Sequence, residues 1–148
     1  MSKSTNLNGS NYFRLRIIYS CLFSKPIEIK SIRQDSMNPG MRDYEANFLK
    51  LVCQVTNGSK VEISKSGDIL KFIPGVITNN YGEMFEFNCG NERNITYFLE
   101  GLLPISLFGK EPLKCSMTGI TNNTQDISVL INNKFFYRLT HLKKSHAD

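Results

Sequence analysis

No run of apolar residues in this chain of 148 residues reaches the ~18 that a membrane-spanning helix needs. The stretch from Met1 to Asn11 is polar and has no apolar centre of the kind that marks a secretory leader. Routing to the secretory pathway is therefore not expected. Cysteine is scarce and scattered: Cys21, Cys53, Cys89 and Cys115 form no CxxC pair, and no histidine stands near them at a metal-ligand spacing. Four reduced thiols follow, with Cys21 and Cys53 placed on apolar helix faces as small hydrophobes. Asn57-Gly58-Ser59, Asn94-Ile95-Thr96 and Asn122-Asn123-Thr124 fit the glycosylation triplet, but without a leader they read as chance matches in turns. No carboxylate cluster suits a nuclease metal, so no metal site is expected. No aromatic set of the RRM kind is present to read bases.

What is present describes a soluble globular chain: 41% hydrophobic and 21% charged residues, at a length that supports one ordinary core. The net charge of +5 is unevenly placed. Residues 1–33 hold Lys3, Arg14, Arg16, Lys25, Lys30 and Arg33 against Glu28 alone, and the remaining charges cancel. A basic surface of this kind attracts phosphate backbones, although a solvated helix face has the same composition.

The apolar pattern predicts a short first strand before Asn11. A helix follows from about Tyr12 to Phe23, capped by Asn11, with Phe13, Ile17 and Cys21 on one stripe. Pro26 ends it, and Ile27 and Ile29 alternate as a strand. Asp43 caps a second helix carrying Tyr44, Phe48, Leu51, Val52 and Val55, which Asn57-Gly58 stops. Val61 and Ile63 begin a hairpin that turns at Ser66-Gly67-Asp68 and returns through Ile69 to Ile73. This is a βαβαββ unit. The pattern then restarts with a strand over Phe85 to Cys89, a helix from Ile95 to about Phe108, and a strand over Leu113 to Met117. Asp126 is placed to cap a last helix through Leu142.

The two halves echo each other. Phe23-Ser24-Lys25-Pro26-Ile27 parallels Phe108-Gly109-Lys110-Glu111-Pro112-Leu113, offset by 85 or 86 positions. Each marks a helix end, a tight turn and an entering strand. The fold class is therefore α+β with α/β-like repeats: a first unit over 1–77 and a second, incomplete unit over 78–148. The counterpart of the closing hairpin is not found in the second half, so the chain reads as a fragment or a truncated product.

A series of blocks in fixed order carries a family resemblance. They are Phe13-Arg14-Leu15-Arg16, Lys25-Pro26-Ile27, Ile32-Arg33, Asn38-Pro39-Gly40 with Asp43-Tyr44-Glu45, and Val55-Thr56-Asn57-Gly58-Ser59. Glu62-Ile63-Ser64, Pro74-Gly75, Tyr97-Phe98-Leu99-Glu100, Phe108-Gly109-Lys110 and Thr118-Gly119-Ile120-Thr121 follow. Together they resemble the RNA 3'-terminal phosphate cyclase superfamily, specifically its eukaryotic cyclase-like branch. The resemblance implies a large domain of repeated βαβαββ sheet-and-helix units, of the type shared with enolpyruvyl transferases. It runs over about residues 8–142.

The resemblance also implies a function. Cyclases activate an RNA 3'-phosphate with ATP through a histidine in the carboxy-terminal region of the family. Here His141 and His146 match no family motif and read as surface residues. The glycine-rich GEGGGQ loop of the enzymes stands as Asn8-Gly9-Ser10-Asn11-Tyr12, and a glutamine near the nucleotide stands as Glu100. An arginine expected three residues after Arg33 is Ser36, a glycine pair after Pro74-Gly75 is Asn79-Asn80, and a glycine before Tyr97 is Thr96. The expectation is a non-enzymatic ribosome-biogenesis factor, without cofactor or small-molecule substrate. It would support pre-18S rRNA processing and small-subunit (40S) assembly in the nucleus and nucleolus. Its partners would be a ribosome-biogenesis GTPase, pre-ribosomal RNA and the small-subunit precursor particle, with no membrane. Arg14, Arg16, Arg33 and Arg42 are the candidates for RNA phosphate or partner contact. The alternative is an ATP-dependent RNA 3'-terminal phosphate cyclase whose catalytic half lies outside this sequence.

Overall fold

The computed structural model describes residues 4–128. Of the predicted last helix only Asp126 to Ser128 are described, and they are not helical; the rest of it and both histidines lie outside the described residues. Strand β1 (Thr5–Asn8), helix α1 (Phe13–Phe23), strand β2 (Ile27–Lys30) and helix α2 (Asp43–Val55) come first. The short strand β3 (Thr56–Asn57), β4 (Lys60–Ile63), β5 (Leu70–Ile73) and the short β6 (Val76–Ile77) follow. A left-handed turn over Asn79–Gly82 then leads to β7 (Phe85–Asn88), α3 (Ile95–Ser106) and β8 (Cys115–Thr118). The result is a mixed α/β chain, as expected at that level. No helix among the described residues is long and apolar enough to cross a membrane.

One sheet has the order β1-β2-β5-β4, parallel between β1 and β2 and antiparallel elsewhere. Its period-2 pattern sets its two faces. Ile27, Ile29, Leu70 and Phe72 point into the core, while the other face carries the cross-strand row Glu28, Lys71 and Glu62. β7 and β8 form a second parallel pair, again joined by a helix. The minute β3–β6 ladder and the hydrogen bond from Thr78 N–H to Val55 O, 3.0 Å, stitch the end of α2 to the chain that leads onward.

Two helix starts differ from expectation. Tyr12, not Asn11, is the residue that enters α1, with φ +56°, and no side chain caps it. Asp43 is the first residue inside α2 rather than its cap. The capping hydrogen bond comes from the other direction, with Glu45 accepting the Arg42 backbone N–H at 2.8 Å. At α3 the cap is Asn94, fully buried, whose side chain accepts from Thr96 N–H. Pro104 falls late in α3, where the missing N–H costs a single helical hydrogen bond.

The asparagine pair has a geometric reason. Asn79 and Asn80 have φ of +49° and +53°, a region where asparagine stands in for glycine at modest cost. Asn79 is also buried, and its amide donates to Ser106 O (2.8 Å) and Glu111 O (2.7 Å), tying the end of α3 to the turn before β7. Gly109 lies so close that a Cβ there would meet the Asn79 amide nitrogen at 2.1 Å.

The helices pack on one another and on the inner face of the first sheet, in a core continuous from Ile27 to Ile105. The tightest point is Gly101 on α3. A Cβ built there would stand 2.4 Å from the Phe48 ring of α2 and 3.0 Å from Cδ of Arg14 on α1. Phe48 is fully buried and has no room to retreat. Gly101→Ala is therefore expected to destabilise the chain by about 1–3 kcal/mol, although alanine favours a helix interior over glycine by about 1 kcal/mol. Urea denaturation of the two chains measures it. A Gly101→Ala variant more stable than the unaltered chain would mean that the three helices do not meet as described.

Candidate functional site

Three elements deliver side chains to one cleft. The β1–α1 turn is held by Arg16, whose Nη1 donates to Gly9 O at 2.7 Å and Nη2 to Asn8 O at 3.1 Å. The Gly9 N–H donates to Lys30 O at 2.8 Å, so the turn is fixed from both sides. It places Ser10, Tyr12 and Arg14 at the cleft.

The β2–α2 connection delivers Arg33, itself at φ +50°. Its guanidinium forms a two-pronged pair with Glu45, at 2.8 and 2.6 Å, and also donates to Gly40 O at 3.2 Å. Glu45 is buried, and the side chain of Arg33 is 19% exposed. The hydrogen bond to Glu45 raises the Arg33 pKa above its ordinary value, so the charge is permanent. The same carboxylate accepts the Arg42 N–H, so one acid closes the loop and starts the helix.

Helix α3 supplies Tyr97 at the centre. Arg14 lies 4.5 Å from the centroid of its ring, and Arg93 4.4 Å from it. Tyr44 meets Tyr97 edge-on at 5.3 Å. Arg14 donates to Tyr97 O at 2.6 Å and to Glu100 at 2.7 Å. Arg93 pairs with Asp126, which also accepts the Asn94 N–H (3.0 Å) and the Asn123 amide (3.0 Å). Partial burial pushes the Asp126 carboxyl up. The hydrogen bonds from Arg93, Asn123 and the Asn94 N–H, with the charge of Arg93, outweigh it and bring the pKa from 3.8 to about 2. Burial pushes the Tyr97 phenol above its ordinary value, and the nearby Arg14 offsets only part of this.

The cleft so formed has a volume of about 270 Å³ and is lined by Ser10, Tyr12, Arg14, Arg33, Tyr44 and Tyr97 among others. Its chemistry is decided by pairing. Arg14, Arg33 and Arg93 each face a carboxylate of the chain itself, Glu100, Glu45 and Asp126. The cleft therefore offers aromatic faces and guanidinium edges but little uncompensated positive charge. Of the four arginines singled out in the sequence, Arg14 and Arg33 come together here, both ion-paired. Arg16 is engaged with backbone carbonyls beside them. Arg42 makes no side-chain hydrogen bond or ion pair among the described residues. Sequence reasoning missed Arg93 and Asp126, which are 33 positions apart and show no local signature. It included Tyr97, Glu100 and Glu45 in its blocks without assigning Tyr97 or Glu45 a place in the cleft. Among the described residues, no group of three His, Cys, Asp or Glu side chains is placed to hold a metal ion.

Residues 5–146 match the family described as RNA 3'-terminal phosphate cyclase. The chain belongs to that family. It is 47% identical over 121 residues to the probable RNA 3'-terminal phosphate cyclase-like protein of Dictyostelium discoideum, covering 82% of this chain and 32% of the relative. The human RNA 3'-terminal phosphate cyclase-like protein is 41% identical over 85% of this chain and 33% of its own length. The rRNA processing protein RCL1 of Saccharomyces cerevisiae is 39% identical over 86% of this chain and 34% of its own length. The chain thus spans about a third of the length of the curated relatives it matches.

Within this cyclase-family cleft, Thr96 has a definite structural part. It is fully buried, and its hydroxyl donates to Ile127 O at 2.7 Å, while the Asn94 amide donates to Thr121 O and Ile127 O. A glycine here would leave the Ile127 carbonyl with one donor fewer.

The ion pairs differ in exposure, and their removal should differ in cost. Glu45→Ala strands a guanidinium that is 19% exposed and is expected to cost about 3 kcal/mol. Glu100→Ala breaks a pair exposed at 22% and 34% and is expected to cost less than about 1 kcal/mol. Denaturant titration of both variants checks the order, and equal losses would contradict it. For Asp126 the folded pKa lies below the unfolded one, so its contribution is complete above the ordinary carboxylate range. That contribution is lost as pH falls from about 4 towards 2. Asp126→Asn should flatten the stability profile in that window and nowhere above it.

Proposed function

We propose that this chain is the amino-terminal part of a non-enzymatic ribosome-biogenesis factor that supports pre-18S rRNA processing and small-subunit assembly in the nucleolus. The observation that carries this reading is the Arg14–Glu100 pair. In a cyclase, a neutral side chain at the position of Glu100 would leave Arg14 free for a phosphate. Here the acid takes that guanidinium at 2.7 Å and sets a negative charge against any nucleotide that approaches it. The loop Asn8–Tyr12 agrees with this: Arg16 and Lys30 occupy its backbone carbonyls and the Gly9 N–H. A relative named as an rRNA processing protein supports the biological setting.

On this reading, contact with RNA phosphates falls to the arginines without a carboxylate of their own. Arg42 has no side-chain partner among the described residues, and Arg16 holds only carbonyls. Arg14 and Arg33 serve mainly to shape the cleft. Units over 1–77 and 78–148 are the natural division, supported by the two parallel strand pairs that each enclose a helix. A ribosome-biogenesis GTPase and the small-subunit precursor particle are the expected partners.

Depletion of the gene product in its own cells tests this. Unprocessed precursors of 18S rRNA should accumulate, and the intact gene should restore processing. Restoration by an Arg42→Glu gene should be weaker, with less of the protein on precursor particles. Normal 18S maturation after depletion would overturn the reading. Transfer of labelled AMP from ATP to the protein would favour the cyclase alternative.

A further inference from the structure

The sequence contains two Asn-Gly pairs, Asn8-Gly9 and Asn57-Gly58, and the fold treats them in opposite ways. Asparagine followed by glycine is the pairing most open to succinimide formation, because no side chain shields the next backbone nitrogen. That nitrogen attacks the asparagine Cγ, the side-chain amide leaves as ammonia, and a five-membered imide closes. Water then opens the ring at either carbonyl, giving aspartate or isoaspartate. The step needs a backbone N–H that is not held and room for the side chain to swing over it.

At Asn8-Gly9 the first condition fails, although Asn8 is exposed and the space beside Gly9 is as open as at Gly58. The Gly9 N–H donates to Lys30 O at 2.8 Å, as a continuation of the β1–β2 ladder. Arg16 grips the carbonyls of both residues. At Asn57-Gly58 both conditions are met. The two residues are exposed, the Gly58 N–H has no hydrogen-bond partner among the described residues, and the Asn57 side chain makes no hydrogen bond there. Gly58 stands at φ +82° with nothing within 4 Å of where a Cβ would be, so the space that the swing requires is open. We propose that Asn57 is a site of spontaneous deamidation in the folded protein, and that Asn8 is protected from it.

The position gives the modification a consequence. Asn57 pairs with Val76 in the β3–β6 ladder that joins the end of α2 to the following half. Gly75 presses against it, with a Cβ position 2.1 Å from Asn57 O and 2.5 Å from Ser59 N. Ser59 adds a bridge, accepting the Gly75 N–H at 2.8 Å and bonding Thr56 Oγ1 at 2.6 Å. Isoaspartate lengthens the main chain by one methylene at a point where the opposing backbone leaves no slack. The ladder loses its register, and with it the stitch between the two halves.

The test is incubation of the folded chain at mildly alkaline pH and 37 °C, followed by peptide mapping for the gain of about one mass unit and for isoaspartate. Conversion at Asn57 should exceed that at Asn8 by about tenfold or more while the chain is folded. The difference should close in concentrated urea, where both pairs are equally free. Asn57→Gln should remove the fast component. Conversion at Asn8 as fast as at Asn57 in the folded chain, or an undiminished difference in urea, would overturn the proposal.

Discussion

A guanidinium half withdrawn from water requires an anion nearby, and here the chain provides its own for every arginine that lines the cleft. Arg33 with Glu45, Arg14 with Glu100 and Arg93 with Asp126 connect α1, α2, α3 and the segment after β8 around a single tyrosine. Arg14–Glu100 and Arg93–Asp126 join segments that local folding alone would leave independent, and Arg33–Glu45 closes the loop that enters α2. The electron-rich ring of Tyr97 takes two of these cations against it, which eases their mutual repulsion. The absence of a side chain at Gly101 completes the arrangement, since only that lets α3 come close enough for its neighbours to reach Arg14.

The same pairing that stabilises the cleft limits what it can do. Phosphate recognition relies on guanidinium groups whose hydrogen-bonding edges are open. With each of the three guanidinium groups already paired to a carboxylate, an incoming polyphosphate would have to compete with an acid and tolerate its repulsion. Membership of a family named for cyclase chemistry does not by itself establish that chemistry for this chain. The ring of Tyr12, by contrast, lines the cleft and is exposed.

Much of the architecture was legible in the sequence because it is written in local periodicity. Ile27 and Ile29 alternate and are buried. Ser66-Gly67-Asp68 turns the hairpin, and α2 carries its apolar residues at helical spacing. The helix starts were harder. Asn11 and Asp43 have the side chains that usually cap, yet Tyr12, in the left-handed region, and Arg42, whose N–H Glu45 accepts, hold those positions. Asn79-Asn80 showed where a turn was needed but not that Asn79 would clasp the end of α3. The site was the least legible part. Its pairs lie 12, 86 and 33 positions apart, and the widest of them forms only when the second half folds onto the first. No window of sequence shows which acid a given arginine will meet.

The claim that the cleft is closed to nucleotide by its own carboxylates can be tested directly by calorimetric titration of the full-length protein with Mg-ATP, beside a Glu100→Gln variant. The account predicts no saturable heat for the unaltered protein and measurable, salt-sensitive binding once Glu100 is neutral. Saturable ATP binding by the unaltered protein, unchanged or weakened in the variant, would contradict it.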